Sequence, residues 1–117
     1  MQRFRWRGLV SPLFVLVLVT SALAGPSPEA VESATTAADH EAIAAAYDGE
    51  AKELRAKANQ HRQMARRYRK PASFKGSQIG GAMEAHCKRL AASYDQAADA
   101  AEALAADHRE MAKEVSK

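Results

Sequence analysis

The sequence carries one helical pattern twice, with the second copy 47 residues after the first. Each copy is a His or Cys, six residues, Tyr-Asp, twelve residues, and then His-Arg-x-Met-Ala. Eleven residues of the first copy, counted between positions 44 and 65, are identical to those 47 positions later: Ala44, Ala45, Tyr47, Asp48, Ala51, Ala56, Ala58, His61, Arg62, Met64 and Ala65. We interpret the repeat as an internal duplication, which restricts the chain to a fold built from two similar helices.

The spacing of the apolar residues predicts where these helices lie. From Thr36 onward, apolar residues recur at alternating intervals of four and three, which is the period of an α-helix. Thr36 and Asp39 form a capping-box pattern, so a helix is predicted over about 37–69, and Pro71 ends it. Gly and Ser residues over about 70–80 predict a connection, and a second helix follows over about 81–115.

Each helix should bury one narrow stripe of residues. The stripe of the first helix is His40, Ala44, Tyr47, Ala51, Leu54, Ala58, His61, Ala65 and Tyr68. The stripe of the second helix is Met83, Cys87, Leu90, Tyr94, Ala97, Ala101, Leu104, His108, Met111 and Val115.

The short connection fixes how the two stripes meet. Two helices of this length joined by about ten residues must lie antiparallel, so facing residues have numbers that add up to about 148. This register places Ala44 against Leu104, so that a large residue meets a small one, and it pairs His40 with His108 and His61 with Cys87. The predicted fold is all-α, an antiparallel two-helix hairpin over 36–117. Because two helices bury little apolar surface, we expect a homodimer that forms a four-helix bundle.

The first 24 residues have the features of a secretory signal peptide. Arg3, Arg5 and Arg7 precede an uncharged stretch, and Ala22-Leu23-Ala24 forms a small-x-small cleavage site. Residues 25–35 are rich in Pro and Ser and are predicted to form a flexible tether. We therefore expect a periplasmic protein that does not bind a membrane after cleavage.

The charge of the remaining chain argues against nucleic-acid binding. The signal peptide contains three Arg and no acidic residue, so 14 basic and 14 acidic residues remain after its removal. A chain without net charge lacks the general electrostatic attraction that draws a protein to nucleic acid.

Soft metal ligands gather at both ends of the predicted stripes. The group near the connection is His61, Met64, Met83, His86 and Cys87, and the group near the termini is His40, His108 and Met111. Pairs such as His61 with Met64 and His108 with Met111 are three residues apart, which places both side chains on the same face of a helix. Each group can therefore converge on one ion, and the two groups should lie roughly 30 Å apart.

The ligand types favour a soft ion. Thioether and thiolate sulfur together with imidazole match Cu(I) best, and Zn(II) is the second choice. We therefore expect a protein that buffers, carries or senses copper, with a metal-donor or metal-acceptor protein as its partner. The alternatives are a haem-binding electron-transfer bundle and a metal-free structural or stress-response interaction protein. The sequence contains no phosphate-binding Gly loop and no nucleophile with an adjacent base, so we do not expect an enzyme.

The second copy of the repeat also resembles a known group of proteins. The residues from His86 to Ala112 follow the pattern HCxxLAxxYxxAAxxAxxLAxxHRxMA, and those from His40 to Ala65 follow it in part. This pattern is similar to that of small exported bacterial helical-hairpin proteins. The resemblance implies an exported helical hairpin.

Overall fold

The computed structural model describes residues 25–69 and 78–117, and these residues form three helices. A short helix, α1, spans Pro28–Ser33. The two long helices are α2, which spans Ala37–Arg69, and α3, which spans Gln78–Val115. The contacts between elements are dominated by those of α2 with α3, and the all-α class and the two-helix hairpin are thereby confirmed.

The N-terminal segment is more ordered than a flexible tether. The prediction for residues 25–35 missed α1, whose N-terminus is capped by the Ser27 hydroxyl accepting a hydrogen bond from the backbone N–H of Ala30. Pro26 and Ala30 line a shallow cleft with Ile43 of α2, and Ile43 is buried. The segment therefore folds back along the first turns of α2.

Two sequence predictions lie outside the described residues. The proposed signal peptide occupies residues 1–24, and most of the connection lies within 70–77. In the described part of the chain, neither long helix is apolar enough over a sufficient length to cross a bilayer.

A capping box begins α2, as the sequence predicts. The backbone N–H of Asp39 donates to the Thr36 hydroxyl at 3.1 Å, and the backbone N–H of Thr36 donates to the Asp39 carboxylate at 2.9 Å. The backbone N–H of Thr35 donates to the same carboxylate. These bonds satisfy amide groups that have no partner within the helix. Led by the hydrogen bond from Thr35, they lower the pKa of Asp39.

The buried face of α2 is the predicted one. Its alanines at every seventh position are almost fully buried: Ala44, Ala51, Ala58 and Ala65. The larger residues of the predicted stripe, His40, Tyr47, Leu54, His61 and Tyr68, are half-buried beside them. The larger side chains therefore lie at the edge of the interface, and the alanines occupy its centre.

The prediction for α3 was wrong for four of the ten residues of its stripe, which are exposed: Ala97, Leu104, Met111 and Val115. Cys87, Ala101 and His108 are buried as predicted, but Leu104 and Met111 are 41% and 42% exposed. The buried residues are instead the alanines that follow Leu90, Ala97, Leu104 and Met111 by one position. These are Ala91, Ala98, Ala105 and Ala112. The helix is thus rotated so that alanines face the partner helix, and Leu104, which was expected to pack against Ala44, is left partly exposed.

The reason for this rotation lies in the repeat. Four of the five buried alanines of α3, Ala91, Ala98, Ala105 and Ala112, lie 47 positions after the four buried alanines of α2. Alanine has the smallest side chain with a Cβ atom, and small residues at an interface allow two helices to approach closely. Nine of the eleven buried hydrophobic residues in the described ranges are alanine, so close backbone approach holds the hairpin together.

Charged residues line one side of this interface. Arg62 pairs with Asp95, and Arg109 pairs with Asp48. These two ion pairs are equivalent under the 47-residue shift, because Arg62 corresponds to Arg109 and Asp48 corresponds to Asp95. Between them, Arg55 contacts the acidic side chains of Asp95, Asp99 and Glu102. The same Arg–Asp contact therefore links α2 to α3 at two places. The arginine lies on α2 in one pair and on α3 in the other.

The capping box makes helix stability depend on pH. Because the pKa of Asp39 is lowered in the folded chain, its stabilising contribution is present above the unfolded value of about 3.9 and is lost as pH falls through the lowered value. Asp39→Asn should therefore be less stable than the wild type at neutral pH, and this difference should shrink in acid. Urea unfolding followed by circular dichroism measures it. Asp107→Asn, at an exposed position on α3, is the control and should show no such trend.

The two equivalent ion pairs should contribute similarly to stability. We expect double-mutant cycles of Arg62 with Asp95 and of Arg109 with Asp48 to give coupling energies of the same sign and similar size. Both couplings should shrink at high salt, because the pairs are partly exposed and therefore screened. A coupling at one end and none at the other would contradict the equivalence. The pair of Lys113 with Glu110 lies within α3 and serves as a control that does not link the helices.

Candidate metal centre

At the terminal end of the hairpin, two imidazole rings meet across the interface. The Nδ1 atom of His40 on α2 lies 3.1 Å from the Nδ1 atom of His108 on α3. His108 is 7% exposed, and His40 is half-buried. One of the two nitrogens must donate a proton and the other must accept it, because two N–H groups cannot hydrogen-bond to each other. The predicted pairing of these histidines is confirmed.

Each end of the hairpin places a tyrosine ring against a histidine ring. Tyr47 lies beside His108 with ring centres 5.8 Å apart, and Tyr94 stacks on His61 with ring centres 5.5 Å apart. These contacts correspond to each other under the 47-residue shift. Packing against an aromatic ring restricts how far each imidazole can rotate, so the tyrosines hold the rings in position.

The residues that follow these aromatic side chains add a second restraint. Asp48 follows Tyr47 and pairs with Arg109, which follows His108. The hydrogen bond to Asp48 raises the pKa of Arg109. These aspartates and arginines were assigned no role from the sequence, although Tyr-Asp and His-Arg occur in both copies of the repeat. Their recurrence as neighbours was the signal that could have identified them.

At the loop end, His61 has a buried nitrogen that is not hydrogen-bonded. Among the buried side-chain nitrogen and oxygen atoms of the described residues, His61 Nδ1 is the one that has no hydrogen-bond partner. A buried polar atom in this condition costs free energy unless something binds it. The corresponding atom at the other end is His108 Nδ1, which contacts His40. The residue that corresponds to His40 is Cys87, a buried free thiol.

The remaining predicted ligands differ in how close they come to these pairs. Met64 and Met83 are half-buried, whereas His86 is exposed one residue before the buried Cys87. Met111 is 42% exposed and follows His108 by one helical turn. Within residues 25–69 and 78–117, no three His, Cys, Asp or Glu side chains come together around a common point. The folded hairpin thus brings together His40 and His108, but it does not assemble His61, His86 and Cys87 into one group.

The spacing of the two imidazoles limits the coordination they can give. Imidazole nitrogens bind zinc at about 2.0–2.1 Å, so two of them in a trigonal or tetrahedral site lie about 3.3–3.6 Å apart. A linear site would need about 4 Å. At 3.1 Å, the two Nδ1 atoms need to separate by only a few tenths of an ångström to accept an ion in a three- or four-coordinate site. Such a site needs further donors, and a thioether one turn away from His108 is within the same region of α3.

Comparison with known proteins gives no further guidance. No protein family matches the sequence, and no curated protein and no solved structure matches it either.

Proposed function

We propose that the chain is an exported protein that binds a soft metal ion and buffers, carries or senses it. Cu(I) is the preferred ion of this proposal. The observation that supports this most directly is the contact between His40 Nδ1 and His108 Nδ1, which presents two imidazole nitrogens at nearly the spacing of metal ligands. The Met111 thioether supplies a third, soft donor one turn from His108. Thioether sulfur favours Cu(I) over Zn(II), which rarely takes this ligand.

A second site is proposed at the loop end, around His61 and Cys87. The unpaired and buried Nδ1 atom of His61 supports it, since an ion at this atom would supply the missing partner. Cys87 corresponds to His40 and adds a thiolate, and Met64 follows His61 by three residues. A thiolate donor makes this site the tighter of the two for Cu(I).

The alanine interface argues against a haem protein. A porphyrin between α2 and α3 would need the helices to stand apart, but Ala44, Ala58, Ala98 and Ala105 are completely buried between them. An ion needs no such space. The proposal also includes a homodimer, because a hairpin whose interface is mainly alanine buries little apolar surface per residue.

Titration with Cu(I) against a competing chromophoric chelator tests the metal sites. The wild-type protein should withdraw two equivalents of Cu(I) per chain. His108→Ala should lose the terminal site and keep the other, and Cys87→Ser should weaken the loop-end site by at least tenfold and leave the terminal site unchanged. This independence is expected because the sites share no ligands and lie roughly 30 Å apart.

A matched control is available on the same helix. His86 is exposed, so His86→Ala should bind Cu(I) as the wild type does. The proposal fails if the wild-type protein does not compete for Cu(I), and the histidine pair then serves only to connect the helices. Tight binding of Zn(II) without competition for Cu(I) would show that the second-choice metal is the correct one.

A further inference from the structure

A stripe of apolar residues on α3 flanks its interface with α2. It consists of five residues at every seventh position, Met83, Leu90, Ala97, Leu104 and Met111. Met83 and Leu90 are half-buried, whereas Leu104 and Met111 are each more than 40% exposed and Ala97 is exposed as well. The rotation of α3 leaves the last three of these residues outside the alanine interface. A row of apolar residues at every seventh position over four heptads supplies one of the two apolar positions per heptad that paired helices use.

The two sides of the hairpin interface differ in chemistry. On one side, Asp95, Glu102 and Arg109 of α3 are engaged in ion pairs with α2. The stripe lies on the opposite side, because Leu90, Ala97, Leu104 and Met111 precede the buried alanines by one position. The charged residues instead follow the half-buried Tyr94 and the buried Ala101 and His108 by one position. Desolvating the charged side would be costly. An apolar partner would therefore bind to the stripe and not to the charged side of the interface.

The order of residues along the stripe identifies the partner. Read in either direction, the stripe is Met, Leu, Ala, Leu, Met, with Ala97 at its centre. A twofold axis at Ala97 therefore places Leu90 of one chain against Leu104 of the other, and Met83 against Met111. Such self-complementarity is what a twofold symmetric interface requires, since the same surface must serve both copies. We propose that a second copy of this chain binds here, with the α3 helices of the two chains antiparallel. Ala97, the smallest side chain of the stripe, lies where the two α3 helices cross.

The composition of the hairpin interface explains why this surface is needed. Among the described residues no large side chain is completely buried, so the hairpin alone has no core of leucine or phenylalanine. Pairing along the stripe would bury two leucines and two methionines from each chain over a length of about 42 Å. The inference rests on the homodimer included in the proposed function and specifies its surface and its register.

Charged substitutions on the stripe test the surface. Sedimentation of the protein purified after expression of the full chain should show a dimer. Leu104→Glu should weaken the dimer at least about 100-fold, because one substitution removes two buried leucines per dimer and introduces two charges. Ala106→Glu adds the same charge to an exposed position away from the stripe and should leave the dimer intact. Circular dichroism of both variants shows whether the helices are retained.

Cysteine cross-linking tests the register. In a Cys87→Ser background, Ala97→Cys should form a disulfide-linked dimer on mild oxidation, whereas Leu104→Cys should not link to itself. Linkage of both variants would show a parallel pair, and a dimer that neither links through Ala97→Cys nor responds to Leu104→Glu would show a different surface. Either result overturns the inference and leaves the homodimer standing. A wild-type monomer at tens of micromolar would overturn both. The Cu(I) titrations of His108→Ala and Cys87→Ser still test the metal sites separately, because neither residue belongs to the stripe.

Discussion

The close approach of two helices through alanine is the constraint on which the other features depend. Alanines at every seventh position of α2 meet alanines at every seventh position of α3, and nearly all of them are buried. Such an interface leaves no room for large side chains at its centre. The tyrosines of the repeat and His61 are therefore half-buried at its edges, where they make ring contacts, and the ion pairs lie beside them. The same constraint excludes a large cofactor between the helices and permits a single ion.

An antiparallel hairpin made from a repeated sequence makes each contact twice. Tyr47 and Asp48 of the first copy meet His108 and Arg109 of the second, while the second copy's Tyr-Asp pair meets the first copy's His-Arg pair. The two ends differ where the copies differ. One end has His40 facing His108, and the other has Cys87 in the position that corresponds to His40. The two equivalent ends thus carry different candidate ligands, and for this reason we expect the proposed sites to differ in affinity.

The rotation of α3 links the internal packing to the proposed assembly. With alanines turned toward α2, the larger residues Leu104 and Met111 are left exposed. Ion pairs occupy the other side of the interface, so the apolar residues form a row on one side only. The interface thus uses mainly small residues of α3, and the larger apolar side chains of Leu104 and Met111 are available for a partner. For this reason, the stability of the folded hairpin and the formation of the proposed dimer are expected to be coupled.

Patterns in the sequence were sufficient to predict the two long helices and the contact of His40 with His108. The Thr36 and Asp39 capping box determines the start of α2, because it depends on residues only three positions apart. The antiparallel register, and with it the contact of His40 with His108, follows from helix length and a short connection. The rotation of α3 about its own axis was not determined by the sequence patterns. Leucine and methionine were assigned to the interface because they are more apolar, yet alanine occupies it. Each of these side chains can be accommodated in a helix, and only the packing against α2 decides which of two adjacent stripes allows the backbones to approach.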